Sequence, residues 1–193
     1  MQRTSFAVLT SALVVLAFFA GVALSPVIVG KVKIGYRITP LQVQVLTDRD
    51  YYHHLIKDLE RANETILVAM YSMIYDPDDP EDWANDVIRE LVEARERGVN
   101  VTVILEYRTY WGYMDDNLEA YEYLTSHGIT AYLDEDTETD HMKLVIIDGY
   151  IVYVGSHNWS ESALYYNRET SVRIVSKKVA EEFESYFWTI IRS

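Results

Sequence analysis

The stretch His141-Met-Lys143-Leu-Val-Ile-Ile-Asp148-Gly149-Tyr-Ile-Val-Tyr-Val-Gly155-Ser-His157-Asn158-Trp-Ser160 decides how this chain is read. Two apolar runs flank Asp148-Gly149, a pair that favours a two-residue hairpin turn. Side chains alternate along a strand, so His141 and Lys143 share one face of it. An imidazole and an ammonium therefore stand side by side, aimed the same way. A two-residue loop without a bulge puts Ile147 opposite Tyr150, Lys143 opposite Val154 and His141 opposite Ser156. The end of the second strand, with Asn158 just past it, then lies beside His141. A nucleophile, a cation and an amide donor converge from residues close in sequence.

Strands and helices alternate on both sides of this hairpin. Residues 41–46 read as a strand, and 51–63 as a helix with Asp50 as its N-cap. Residues 65–75 form a long apolar run rich in β-branched and aromatic side chains, hence a strand. Val87, Ile88, Leu91 and Val92 share one face of a helix over 82–97, stopped by Gly98. A strand over 99–106, a helix over 118–127 and a short strand over 129–133 follow. Past the hairpin come a short helix from Ser160, a strand over 170–175 and a closing helix from Lys177. The alternation implies an α/β fold, a layered αβα sandwich on a mixed β-sheet.

The first thirty residues stand apart. No charge occurs from Thr4 to Gly30, and Phe6 to Val29 is almost wholly apolar. The stretch is long enough to cross a bilayer and longer than the apolar part of an ordinary signal peptide. It is expected to be an N-terminal apolar helix acting as a single-pass anchor to the cell membrane. The alternative is a signal segment cut near Gly21-Val-Ala23, giving a secreted protein. Basic residues flank both ends, so the charge rule does not orient it; the folded domain is expected on the extracytoplasmic side. Residues 31–40 read as a linker and 41–193 as the domain.

The net charge is −13, and all thirty acidic residues follow the apolar stretch. That balance sits awkwardly with phosphate-rich partners, which usually meet a basic surface. The sharpest acidic run, 134–140, directly precedes His141. It reads as a solvated loop, with a cation-binding rim or a gate against anions as the alternatives. There is no cysteine, which excludes disulfides and thiolate metal sites.

The residues quoted above resemble the phospholipase D superfamily, whose signature is H-x-K-x4-D followed by G-S/G-x-N-x-S. Both halves are present in order, and the resemblance covers roughly residues 41–193. Ala69-Met-Tyr-Ser72 and Asn167-Arg-Glu169 also resemble family segments. The resemblance implies a phosphodiesterase of the single-motif, nuclease-like branch. His141 would attack phosphorus and form a phosphohistidine, while Lys143 and Asn158 hold the non-bridging oxygens. Ser160 joins the site and caps the next helix. Glu169 would fix the imidazole tautomer, and Asp148 would have a supporting role. The route needs no metal and no cofactor, but it needs two histidines. With one motif in the sequence, the resemblance implies a homodimer with a shared active site. Nucleic acid, DNA or RNA, is the first expected substrate. Membrane phospholipid, through phospholipase or transphosphatidylase activity, is the second, and a non-catalytic dimeric adaptor the third. Tyr107, Arg108, Tyr110 and Trp111 could stack bases or hold a lipid headgroup, or equally serve loop packing or a dimer contact. His157, at a variable position of the motif, is a candidate for the rim of the site.

Overall fold

A computed structural model describes residues 42–107, 117–135 and 138–191. Seven strands form one mixed sheet: β1 (Gln42–Thr47), β2 (Thr65–Met70), β3 (Asn100–Glu106), β4 (Thr130–Asp134), β5 (Lys143–Ile147), β6 (Ile151–Gly155) and β7 (Thr170–Val175). Their order across the sheet is β1-β7-β6-β5-β2-β3-β4. β2, β3 and β4 run parallel, as the helical crossovers between them require. β5, β6, β7 and β1 form the antiparallel half. β5 joins the halves by pairing antiparallel with β2. Among the described residues, four α-helices accompany the sheet: α1 (Asp50–Leu59), α2 (Trp83–Glu96), α3 (Asn117–Ser126) and α4 (Lys177–Ile190).

The two faces are covered unequally. α1, α2 and α3 pack Leu55, Leu59, Ile88, Leu91 and Leu124 against the alternate strand residues Ile66, Val68, Val103, Val145 and Ile147. α4 covers the opposite face, setting Ala180 and Phe187 against Leu67, Ala69, Leu144, Ile146 and Val152. This is the expected layered α/β arrangement. The N-terminal apolar stretch lies outside the described residues. Among those described, no helix is long and apolar enough to cross a membrane.

Three local expectations need correction. The strand expected over 65–75 ends at Met70. Beyond it the chain bends round the buried Asn117, whose amide donates to Tyr71 O (2.9 Å) and Glu106 O (2.6 Å) and accepts from Met73 N (2.7 Å). The first helix starts one residue early. Arg49 holds the cap position with no side-chain bond, and Asp50 lies in the first turn. The short helix expected from Ser160 is a π-helical turn over Ser162–Tyr166.

The hairpin also departs from the two-residue loop. Asp148 and Gly149 have φ of 52° and 56°, the left-handed pair such a turn demands. Tyr150 N–H donates to Ile147 O at 3.0 Å. Ile147 nevertheless faces Ile151, and Leu144 faces Val154, one residue beyond the expected register. Tyr150 is the extra residue, and its carbonyl is taken by Ser176 N–H. The alternation of side chains within β5 is unaffected.

Asp148 ties this turn to the start of β2. Its Oδ1 accepts N–H bonds from Asn63 (3.2 Å), Glu64 (2.8 Å) and Thr65 (3.0 Å). Three backbone donors converge on one carboxylate, at the end of β5 opposite His141. We predict that Asp148→Ala lowers stability by about 2–3 kcal/mol, since charged hydrogen bonds and a left-handed residue are lost together. Asp148→Asn should cost about 1 kcal/mol, because asparagine tolerates the conformation and keeps one acceptor. Urea denaturation measures both. Loss of turnover in Asp148→Ala at full stability would give this residue a chemical role instead.

Candidate active site

The site gathers at one end of the sheet, where β2 and β6 finish and β5 and β7 begin. Lys143 opens β5 with the same parity as Val145 and Ile147, so it faces the three-helix side. Met142 and Leu144 pack toward α4. His141 lies two residues before Lys143 on the same side, as strand alternation requires. Lys143 Nζ is 3.1 Å from His141 Nδ1 and 3.3 Å from Nε2, and it donates to His141 O at 3.1 Å. Nearly equal distances to both ring nitrogens place the ammonium against the ring, not at the tip of one nitrogen. His141 is exposed, whereas Lys143 is only 7% exposed. The imidazole therefore faces solvent with a cation lodged beneath it.

Tyr71 completes this pair. Its ring lies 4.3 Å from the imidazole and 4.6 Å from Lys143 Nζ, within cation–π range. Tyr71 N–H donates to Met142 O, which carries the β2–β5 pairing one step past the end of β2. Burial pushes the lysine pKa down, and the Glu169 carboxylate pushes it partly back up.

The second half of the motif, residues 155–160, keeps the alternation of a strand. Odd positions turn inward: His157 and Trp159 are fully buried against Tyr51 of α1. His157 stacks on the Tyr51 ring at 4.3 Å, and Trp159 Nε1 donates to Tyr51 Oη at 3.1 Å. Even positions are the polar set Ser156, Asn158 and Ser160, each at least partly exposed. Backbone bonds from Trp159 N to Ser72 O and from Ile74 N to Trp159 O stitch this loop to the chain after β2. Gly155 is required by close approach, since a Cβ there would overlap the backbone of Ser171 on β7.

The rim position expected for His157 is therefore wrong. Its Nε2 bonds the carbonyl of Asp48 (2.9 Å), which can only accept, so Nε2 carries the proton. Nδ1 is then an acceptor for Ser171 Oγ at 2.7 Å. Burial pushes its pKa down, which keeps the ring neutral. His157 is a satisfied core residue that holds the loop.

Glu169 stands just before β7. Its carboxylate accepts from Ser156 Oγ and, at 3.3 Å, from Asn167 Nδ2. Its backbone is fixed by Asp48, whose N–H reaches Glu169 O and whose Oδ1 accepts Glu169 N–H. It acts on Lys143 through its charge. Ser160 Oγ accepts Ala163 N–H at 3.3 Å at the start of the π-helical turn, whose cap position is Glu161 and not Ser160. Among the described residues, Asn158 Oδ1 is buried without a hydrogen-bond partner. The two ends of an amide exchange by a flip, so either a donor or an acceptor can be presented there. Tyr107 extends the β3–β4 pairing through its N–H to Asp134 O. Arg108, Tyr110 and Trp111 lie outside the described residues. Among the described residues, no group of three or more His, Asp or Glu is placed to hold a metal ion.

Four supporting residues were not read from the sequence: Tyr71, Asn117, Asp48 and Ser171. Tyr71 falls in a segment that resembles the family, which is a usable signal. The other three act through contacts more than ten residues away, which no local pattern marks.

Comparison with known proteins gives the family and the fold. Residues 55–191 match the family described as cardiolipin synthase, PLD-like domain. The chain belongs to the phospholipase D superfamily. Cardiolipin synthase A of Citrobacter koseri is 31% identical over 127 residues, which is 61% of this chain and 25% of that protein. The chain thus spans about a quarter of the length of the curated relatives it matches. The crystal structure of Nuc, a phospholipase D family member from Salmonella typhimurium, superposes with a TM-score of 0.67 at 25% identity. It covers 79% of this chain and 95% of Nuc. NucT from Helicobacter pylori shares the fold, with a TM-score of 0.65 at 22% identity.

The pKa directions make a pH prediction. Lys143 must be protonated to hold a phosphate, and its pKa lies below the ordinary lysine value. Activity should therefore fall on the alkaline side as pH rises through that lowered value. Glu169→Gln removes the charge that pushes the pKa up, so the alkaline limb of kcat/KM should move to lower pH. An unmoved limb, or one displaced upward, would contradict this reading of the site.

Proposed function

We propose that the chain is a phosphodiesterase that cleaves DNA or RNA through a phosphohistidine on His141, as a homodimer with one shared site. The observation that carries this reading is an exposed imidazole seated on a buried ammonium. The first can attack phosphorus, and the second holds the oxygens on which charge develops. A neutral His141 attacks phosphorus, the bond to the leaving oxygen breaks, and a second imidazole gives that oxygen its proton. The same second imidazole then takes a proton from water. Hydroxide displaces His141, and both rings return to their starting state.

The sequence holds one such histidine, so the second is assigned to His141 of another subunit across a two-fold axis. Ser156, Asn167 and Asp48 hold Glu169 in place, close enough to Lys143 to tune its charge. The nuclease reading follows the single-motif branch that the sequence resembles, and the near-complete overlap with Nuc supports it. A second reading, transfer or hydrolysis of phospholipid headgroups, is favoured by the match to the cardiolipin synthase domain and by the apolar stretch 4–30. For either substrate, we place that stretch in the cell membrane as a single-pass anchor, with the domain on the extracytoplasmic side.

His141→Ala should lower turnover of single-stranded DNA or RNA by at least about 10³-fold while leaving the fold intact. Mixed with wild-type chains and allowed to exchange, it distinguishes shared from separate sites. With a shared site needing both histidines, activity follows the square of the wild-type fraction, about one quarter for equal mixing. Independent sites give a linear decline. A linear decline, or cleavage of phosphatidylcholine in place of nucleic acid, would overturn the corresponding part of the proposal.

A further inference from the structure

The end of the fold that carries His141 holds a second feature that the reaction leaves unused. Trp83 opens α2, the next element after β2, and Tyr165 and Tyr166 close the π-helical turn that follows the motif. With Glu81 and Glu161 they line a cavity of about 260 Å³. Trp83 and Tyr165 meet edge to face, with centroids 4.9 Å apart at 88°. Tyr165 and Tyr166 do the same at 4.9 Å and 78°. Rings at right angles make the walls of a box, whereas stacked rings would close the gap. Tyr52 stacks on Trp83 at 4.2 Å and fixes the plane of that wall.

Packing alone does not account for these rings. Tyr165 is 42% exposed and Tyr166 63%, although both follow a buried Ala163-Leu164 pair. Aromatic faces attract cations, and one wall already does so, since the Arg49 guanidinium lies 5.5 Å from the Tyr165 centroid. The surroundings are strongly acidic. Five carboxylates lie from Asp76 to Asp82, and one of them, Glu81, lines the cavity together with Glu161. Burial raises the Asp82 pKa, and the charges of Glu161, Asp79 and Asp76 add to it. A nucleobase could stack here, but its phosphates would meet Glu81 and Glu161. A cation gains from both the rings and the carboxylates.

We propose that this aromatic and acidic pocket binds a compact organic cation of the quaternary-ammonium class, of which choline is the simplest. The size fits, because the cavity falls below the roughly 300–1,000 Å³ of sites for larger ligands. The proposal stands independently of what His141 cleaves. The cation can be a free solute or the headgroup of a lipid, and one titration separates the two sources.

Calorimetric titration of the full chain in non-ionic detergent is the test. The ligands are choline, its uncharged isostere with carbon in place of nitrogen, and glycerophosphocholine. Choline should saturate in the millimolar range, with the isostere at least about tenfold weaker. Tyr166→Ala, and separately the double variant Glu81→Gln with Glu161→Gln, should each weaken choline by about tenfold. Turnover of a small soluble phosphodiester should be unchanged in Tyr166→Ala. Glycerophosphocholine binding at least as well as choline identifies a lipid headgroup, and weaker binding identifies a free solute. Absence of saturation overturns the proposal. So does an isostere that binds as well as choline, or choline binding that survives in both variants.

Discussion

A lysine ammonium held out of water against an exposed imidazole is the constraint on which this structure depends. Burying a cation is costly unless the surroundings compensate. Here the compensation is the carbonyl of His141, the face of Tyr71 and the charge of Glu169. Each comes from a different part of the chain: the segment before β5, the end of β2 and the start of β7. The sheet order, with β5 between β2 and β6 and β7 next in line, brings those three ends together. A one-residue slip of β5 would turn Lys143 toward α4 and dissolve the site. Two features resist that slip. After Lys143, β5 is apolar and buried between two strands, and Asp148 is bolted to the amides of 63–65.

The loop 155–160 solves a related problem, that of fixing polar groups at an open end of a sheet. Its inward residues, His157 and Trp159, stand on Tyr51 and are fully buried. Its outward residues carry the polar groups of the site, and two of them also brace the chain, Ser156 to Thr170 and Ser160 to Ala163. Thus the variable positions of the motif are the structural ones in this chain. The same division appears at Asp48. Its backbone carbonyl serves His157, while its side chain and N–H serve Glu169.

Much of this was legible from the residues alone. Apolar runs and stop signals located the seven strands and four helices. The alternation in His141-Met-Lys143 correctly gave their shared face, because period two is local geometry. What failed was long-range. The end of β2 depends on Asn117, nearly fifty residues away, so its apolar run read as one long strand. The hairpin gained Tyr150 because Ser176 takes its carbonyl, and no local rule anticipates that bond. His157 looked like a rim residue because nothing in the motif announces the aromatic ring beneath it. Asp148, by contrast, was readable as a turn residue from its neighbour Gly149, and the structure gives it that role together with the anchoring of β2.

The central claim is that His141 becomes covalently phosphorylated during turnover. The stereochemical course at phosphorus tests it most directly. Two successive in-line displacements invert the centre twice, so a chiral phosphorothioate diester cleaved in isotopically labelled water should show net retention. Net inversion would mean that water attacks phosphorus directly, and the phosphohistidine account of this site would be wrong.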